Sequence, residues 1–145
     1  MAGGSSAVLP LSAETEITGE SIPLRAARFE AQQFDSAWNA QIGYARSLRM
    51  HYVKVTGWSG TVCYDGVPLC GGKTLQLTAA SLMQTGNITA EVCGHKLECS
   101  ITPSDRFDDF AVYRIPLPDG LPDAGRLVIS MQSGVQLLDI AILDA

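Results

Sequence analysis

The chain has 145 residues, of which 46% are hydrophobic and 17% charged, and it carries a formal net charge of -5. That length makes one domain with its own core, and Leu, Ile, Val and Phe together number 37, above the roughly 20% floor that marks disorder. The acidic balance excludes a surface built to neutralise phosphates, no apolar run reaches the roughly 18 residues of a membrane helix, and residues 1–11 lack the basic start of a secretory signal.

Residues 1–23 mix Gly, Ser and Pro with isolated apolar residues and hold no period, which predicts an extended N-terminal arm. Its apolar side chains, Val8, Leu9, Leu11, Ile17 and Ile22, are too scattered to form a core of their own, so the arm is expected to lie on a neighbouring subunit. Residues 24–145 form the domain. Between Leu24 and Met50 the pattern is open: Leu24, Ala27, Ala31, Phe34 and Trp38 follow helical spacing, while Ala27, Phe29 and Ala31 also alternate.

From Met50 onward the signal is β. Val53 and Val55 alternate with Tyr52, Lys54 and Thr56; Leu75 and Leu77 with Thr74, Gln76 and Thr78; Ile88, Ala90 and Val92 with Thr89 and Glu91. Turn chemistry separates these runs at Trp58-Ser59-Gly60, Asp65-Gly66, Gly71-Gly72, Thr85-Gly86-Asn87, 116–122 and Ser133-Gly134. Short strands at such intervals predict a sandwich or barrel. The runs 126–131 and 135–143 are the most apolar and are expected at the centres of the sheets, whereas Pro103, Pro116, Pro118 and Pro122 mark strand ends or edges.

Cys63 and Cys70, and likewise Cys93 and Cys99, flank segments that read as strand, turn and return, so each pair is placed to bridge its own hairpin. Four reduced thiols packed as small hydrophobes is the equal alternative. Six and five intervening residues exceed the two to four usual for zinc-ligand pairs.

Catalytic patterns are thin. His51 and His95 have no nucleophile motif beside them. Asp105, Asp108 and Asp109 occupy a single loop and read as a solvated acidic turn rather than as two carboxylates flanking a scissile bond. Gly71-Gly72-Lys73-Thr74 ends like a phosphate-binding loop but enters a strand. Of the two tryptophans, Trp38 is expected in the core and Trp58, beside Ser59 and Gly60, on the surface as a binding aromatic.

Five short segments carry a family resemblance: 29–34 (Phe-Glu-Ala-Gln-Gln-Phe), 42–44 (Ile-Gly-Tyr), 77–81 (Leu-Thr-Ala-Ala-Ser), 86–92 (Gly-Asn-Ile-Thr-Ala-Glu-Val) and 134–142 (Gly-Val-Gln-Leu-Leu-Asp-Ile-Ala-Ile). In this order, over about residues 24–144, the chain resembles a family 6 carbohydrate-binding module. The resemblance implies a galactose-binding-like jelly roll. It also implies a sugar ring held between two aromatics, at Tyr44 and Phe107, with Gln136 hydrogen-bonding the hydroxyls; Phe107 and Gln136 stand where the family has Trp and Asn, so weak binding is expected. A structural calcium is the one cofactor it implies, at Glu30 and Asp144, with Gln32 in place of a second family carboxylate.

Together these readings predict an all-β, single jelly-roll sandwich with an extended arm and no catalytic activity. Two functions follow. The first is a structural or decoration component of a virion, such as a bacteriophage capsid or tail, attached through the arm to other subunits as a homo-oligomer. The alternative is a carbohydrate-binding module recognising polysaccharide outside the cell. Neither nucleic acid nor a membrane is an expected partner.

Overall fold

A computed structural model describes residues 25–106 and 109–144. The described residues are all β: β1 (Arg28–Glu30), β2 (Ser36–Trp38), β3 (Ala40–Ala45), β4 (Met50–Val55), β5 (Ser59–Pro68), β6 (Thr74–Leu82), β7 (Gly86–Val92), β8 (His95–Ile101), β9 (Pro103–Ser104), β10 (Ala111–Pro116), β11 (Ala124–Gln132) and β12 (Val135–Leu143). One sheet runs β9-β6-β12-β4-β3, with β10 also on β6 and β1 also on β12; the other runs β2-β5-β11-β7-β8. The two form a jelly-roll sandwich.

Alternation, reset at two bulges, builds the core between them. Val53, Leu75, Leu77, Ala79, Leu137 and Ile140 point inward from the first sheet, and Val62, Tyr64, Ile88, Ala90, Leu127 and Ile129 from the second; all are fully or almost fully buried. The strands marked as most apolar, β11 and β12, each have a neighbour on both sides, as expected. Bulges between Gly125 and Leu127 and between Leu137 and Asp139 reset their registers, so Leu137 and Ile140 both face inward although they are three residues apart.

The segment left open between helix and strand is strand throughout its regular parts, because its partners are strands: Phe29 lies opposite Ile140, Ala37 opposite Val62 and Ile42 opposite Val53. Asn39, at φ 53°, carries the chain from the second sheet into the first. Trp38 corrects the expectation of a core residue. On edge strand β2 it is Ala37 that shares the face of Val62, so Trp38 lies on the opposite face, beside Thr61, and is 61% exposed.

The cysteine hairpins are also corrected. β5 runs unbroken from Ser59 to Pro68, so Cys63 and Cys70 are not folded back on each other; seven steps of extended chain span about 20 Å, beyond the roughly 7 Å a disulfide tolerates. Residues 92–95 do turn, but Val92 pairs with His95 and Cys99 sits opposite Ile88, well away from Cys93 in the turn. All four are free thiols. The arm residues Val8, Leu9, Leu11, Ile17 and Ile22 lie outside the described residues, as does Phe107.

At the chain's entry to the domain, Arg25 donates to the carbonyls of Asp65 and Gln33 and pairs with Asp35, while its guanidinium lies over the Phe29 and Tyr64 rings. Tyr64, fully buried, donates its hydroxyl to the Ala31 carbonyl at 2.6 Å. Burial pushes the Tyr64 phenol far above its ordinary range, so it remains a neutral donor.

Candidate functional site

One end of the sandwich gathers four connections: residues 56–58 between β4 and β5, 83–85 between β6 and β7, 133–134 between β11 and β12, and the segment that follows β8. Their backbones are tied together. The Ser133 N–H donates to the Trp58 carbonyl at 2.9 Å, the Leu82 N–H to Gly134 at 3.0 Å, and the Met83 N–H to Ser104 at 2.7 Å. The Gln84 amide donates to the Ser133 carbonyl and Ser81 Oγ to that of Gln84. Gly134, at φ 92°, and Met83, at φ 70°, make the left-handed turns that allow this. The Thr56 N–H reaches back to Asn39, beside Trp38.

Trp58 stands on this rim 93% exposed. An open depression of about 400 Å³ joins its indole to Gln84, Thr85, Gln132 and Ser133. Gln132 Oε1 accepts from Asn87 Nδ2 at 3.4 Å across the strand pair. Across the 133–134 turn, a second depression of about 230 Å³ is lined by Tyr52, Lys54, Val55, Leu82, Gly134, Val135 and Gln136. The Phe110 ring stands against Tyr52, centroids 5.9 Å apart. Tyr52 in turn lies over Gly43, where a Cβ would come within 2.6 Å of its ring, so a larger residue here would displace the phenol. An exposed indole, amide side chains and a phenol beside a second aromatic are groups that stack on and hydrogen-bond neutral hydroxylated ligands.

The sequence-derived residues distribute unevenly over this end. Trp58 and Gln136 lie in the two neighbouring depressions. Tyr44 does not join them: it sits opposite His51, edge-on to that ring at 5.0 Å, on the other face of the β3–β4 ribbon from Tyr52 and Lys54. Tyr52 and Phe110 were missed, and alternation alone could have placed Tyr52 on the outward face with Lys54. Trp38 was missed as a surface aromatic.

Glu30 and Asp144 are not brought together. Glu30 is opposite Asp139 and accepts from Gln32 Nε2, whereas Asp144 lies five residues farther along, about 16 Å of extended chain. Among the described residues there is no cluster of three or more His, Cys, Asp or Glu. In the acidic turn, Asp109 accepts from Ser104 Oγ at 2.6 Å and pairs with Arg106, and these contacts hold its carboxyl below the usual range. A glycosidase acid needs the opposite shift.

No protein-family model matches the sequence, and no curated protein sequence does. Solved structures do. A family 6 carbohydrate-binding module of Clostridium stercorarium, in complex with cellobiose, superposes with a TM-score of 0.73 at 14% identity over 85% of this chain and 98% of that one. The shared architecture is the family 6 jelly roll. A β-1,3-glucan-binding family 6 module of Bacillus halodurans gives 0.68 at 12% identity, covering 79% of this chain and 93% of that one. A Bacillus subtilis arabinoxylan arabinofuranohydrolase in complex with cellotetraose gives 0.72 at 9% identity, over 93% of this chain but 30% of the enzyme.

Proposed function

We propose that the protein is a non-catalytic carbohydrate-binding module that engages neutral polysaccharide outside the cell through its loop end. The observation that carries this reading is Trp58, an indole 93% exposed on a rim whose turn is tied to the 133–134 turn by the Ser133 N–H, with Gln84 and Gln132 beside it. An indole so exposed contributes little to the core, while its flat face suits the C–H face of a sugar ring. The amides supply donors and acceptors for hydroxyls. Gln136 and Tyr52 across the turn extend the surface to a further sugar unit. The solved structures of this fold support the reading: they include modules in complex with cellobiose and cellotriose and one that binds β-1,3-glucan. The virion reading rests on an arm outside the described residues, and the comparisons favour the carbohydrate alternative.

Affinity electrophoresis and titration calorimetry against soluble β-glucans and xylans test it. We expect weak binding, because the site is open and shallow, and loss of that binding in Trp58→Ala with folding unchanged. Binding that survives Trp58→Ala, or none across the panel, contradicts the proposed site.

A further inference from the structure

The open margins of the two sheets are β3, the three-residue β1 with Arg28 and Glu30, and the β9/β10 side in the first, and β2 and β8 in the second. Natural sheet edges are guarded against pairing with other chains by charge, proline or shortness. β8 carries His95, Lys96 and Glu98, β10 carries Arg114 and Pro116, β9 begins on Pro103, and β2 has three residues. β3 has six residues, Ala-Gln-Ile-Gly-Tyr-Ala, with no charge and no proline. Among the described edges it alone has none of these guards.

Its backbone groups without a partner among the described residues are identifiable. The Thr56 N–H donates to the Asn39 carbonyl, which makes 39 and 56 a hydrogen-bonded position of the β3–β4 ladder. In an antiparallel ladder such positions alternate, so Gln41, Gly43 and Ala45 bond to β4, while Ala40, Ile42 and Tyr44 direct their N–H and C=O groups outward. Ile42 and Tyr44 are also 48% and 51% exposed, and Leu48, in the adjoining turn, is exposed as well.

We infer that β3 is a self-association edge, pairing antiparallel with β3 of a second copy about a two-fold axis through Gly43. That register places Ile42 of each copy opposite Tyr44 of the other, at positions where both residues exchange N–H···O bonds and on one face of the joined sheet. It sets glycine against glycine at the axis and Gln41 against Ala45. The absence of charge lets the strand meet its own copy without like-charge repulsion, and the β-branched and aromatic side chains supply each other's cross-strand partner. The first sheet then continues from one copy into the next. A contact of one short strand and its flanking side chains is small beside the roughly 800 Å² per partner of a stable interface, so the dimer is transient. This inference stands apart from glycan binding, since Trp58 and Gln136 are on other strands and turns.

Sedimentation velocity of the full chain from about 10 µM to 1 mM, with amide hydrogen exchange at both ends of that range, tests it. The expected result is a mass rising toward twice the monomer's, with exchange at Ile42 and Tyr44 slowing as concentration rises, and both effects abolished in Ile42→Lys. A monomer at 1 mM overturns the inference. So does association that persists in Ile42→Lys, or protection of Ile42 and Tyr44 that is already complete at 10 µM, which would mean the edge is covered in the monomer. The exchange measurement on the unaltered protein decides the matter even if the lysine variant fails to fold.

Discussion

Replacing Tyr64 by Phe removes one oxygen from the interior and leaves the ring stack in place. In the native protein that oxygen donates to the Ala31 carbonyl at 2.6 Å, the phenol is fully buried, and its ring is packed by Phe29 at 5.1 Å and capped by the Arg25 guanidinium at 5.4 Å. Phe keeps the ring contacts but strands the Ala31 carbonyl, which no water can reach through that packing. An unsatisfied buried acceptor costs about 1 to 3 kcal/mol. For a domain of this size each kcal/mol moves the midpoint by about 3 to 4 °C, so thermal unfolding of Tyr64→Phe should fall by roughly 3 to 12 °C. The Ala31 N–H donates to Leu138 on β12, so the 25–35 segment ties the two sheets together and the variant should also exchange its amides there faster. A midpoint within about 1 °C of the parent would show that the Ala31 carbonyl finds another partner and that Tyr64 acts through its ring alone.

Gly86 is buried with Val135 Cγ2 and Ser81 Oγ 2.6 and 2.7 Å from where a Cβ would stand, so Gly86→Ala should destabilise by about 1 to 3 kcal/mol in denaturant titration. The midpoint should not change on adding a thiol reductant, and four free thiols should titrate under denaturing conditions, because the registers keep each cysteine pair apart. Asp35 accepts from the Asp65 N–H and pairs with Arg25, contacts that hold its carboxyl below the ordinary 3.8. A lowered folded pKa stabilises above the unfolded value and is lost as pH falls through the folded one. The stability difference between parent and Asp35→Asn should therefore be present at pH 7 and shrink below about pH 4; a pH-independent difference would contradict this.

Much of the fold was legible because period-two alternation and turn residues are local signals: Leu75 and Leu77, or Ile88 and Ala90, declare their inward face without knowledge of partners. What was not legible depended on pairing. Cys63 and Cys70 look like two arms of a hairpin until β11 is seen running along the whole of β5. Trp38 reads as core by its size, and only the register of Ala37 with Val62 turns it outward. Of the site, Trp58 was visible through its turn context, whereas Tyr52, on β4, and Phe110, just before β10, come together from positions far apart in sequence. Tyr44 and Gln136, assigned to one sugar site by resemblance, lie on opposite faces.

The central claim is that the loop end around Trp58 binds neutral polysaccharide. Titration calorimetry of the parent, Trp58→Ala and Tyr44→Ala against the tightest-binding β-glucan or xylan of a panel tests it most directly. Trp58→Ala should lose at least tenfold in affinity while Tyr44→Ala, on the far face of its ribbon, stays within about twofold, each keeping the parent's melting temperature. Loss of binding in Tyr44→Ala with Trp58→Ala unaffected would contradict it and move the site to the β3 edge.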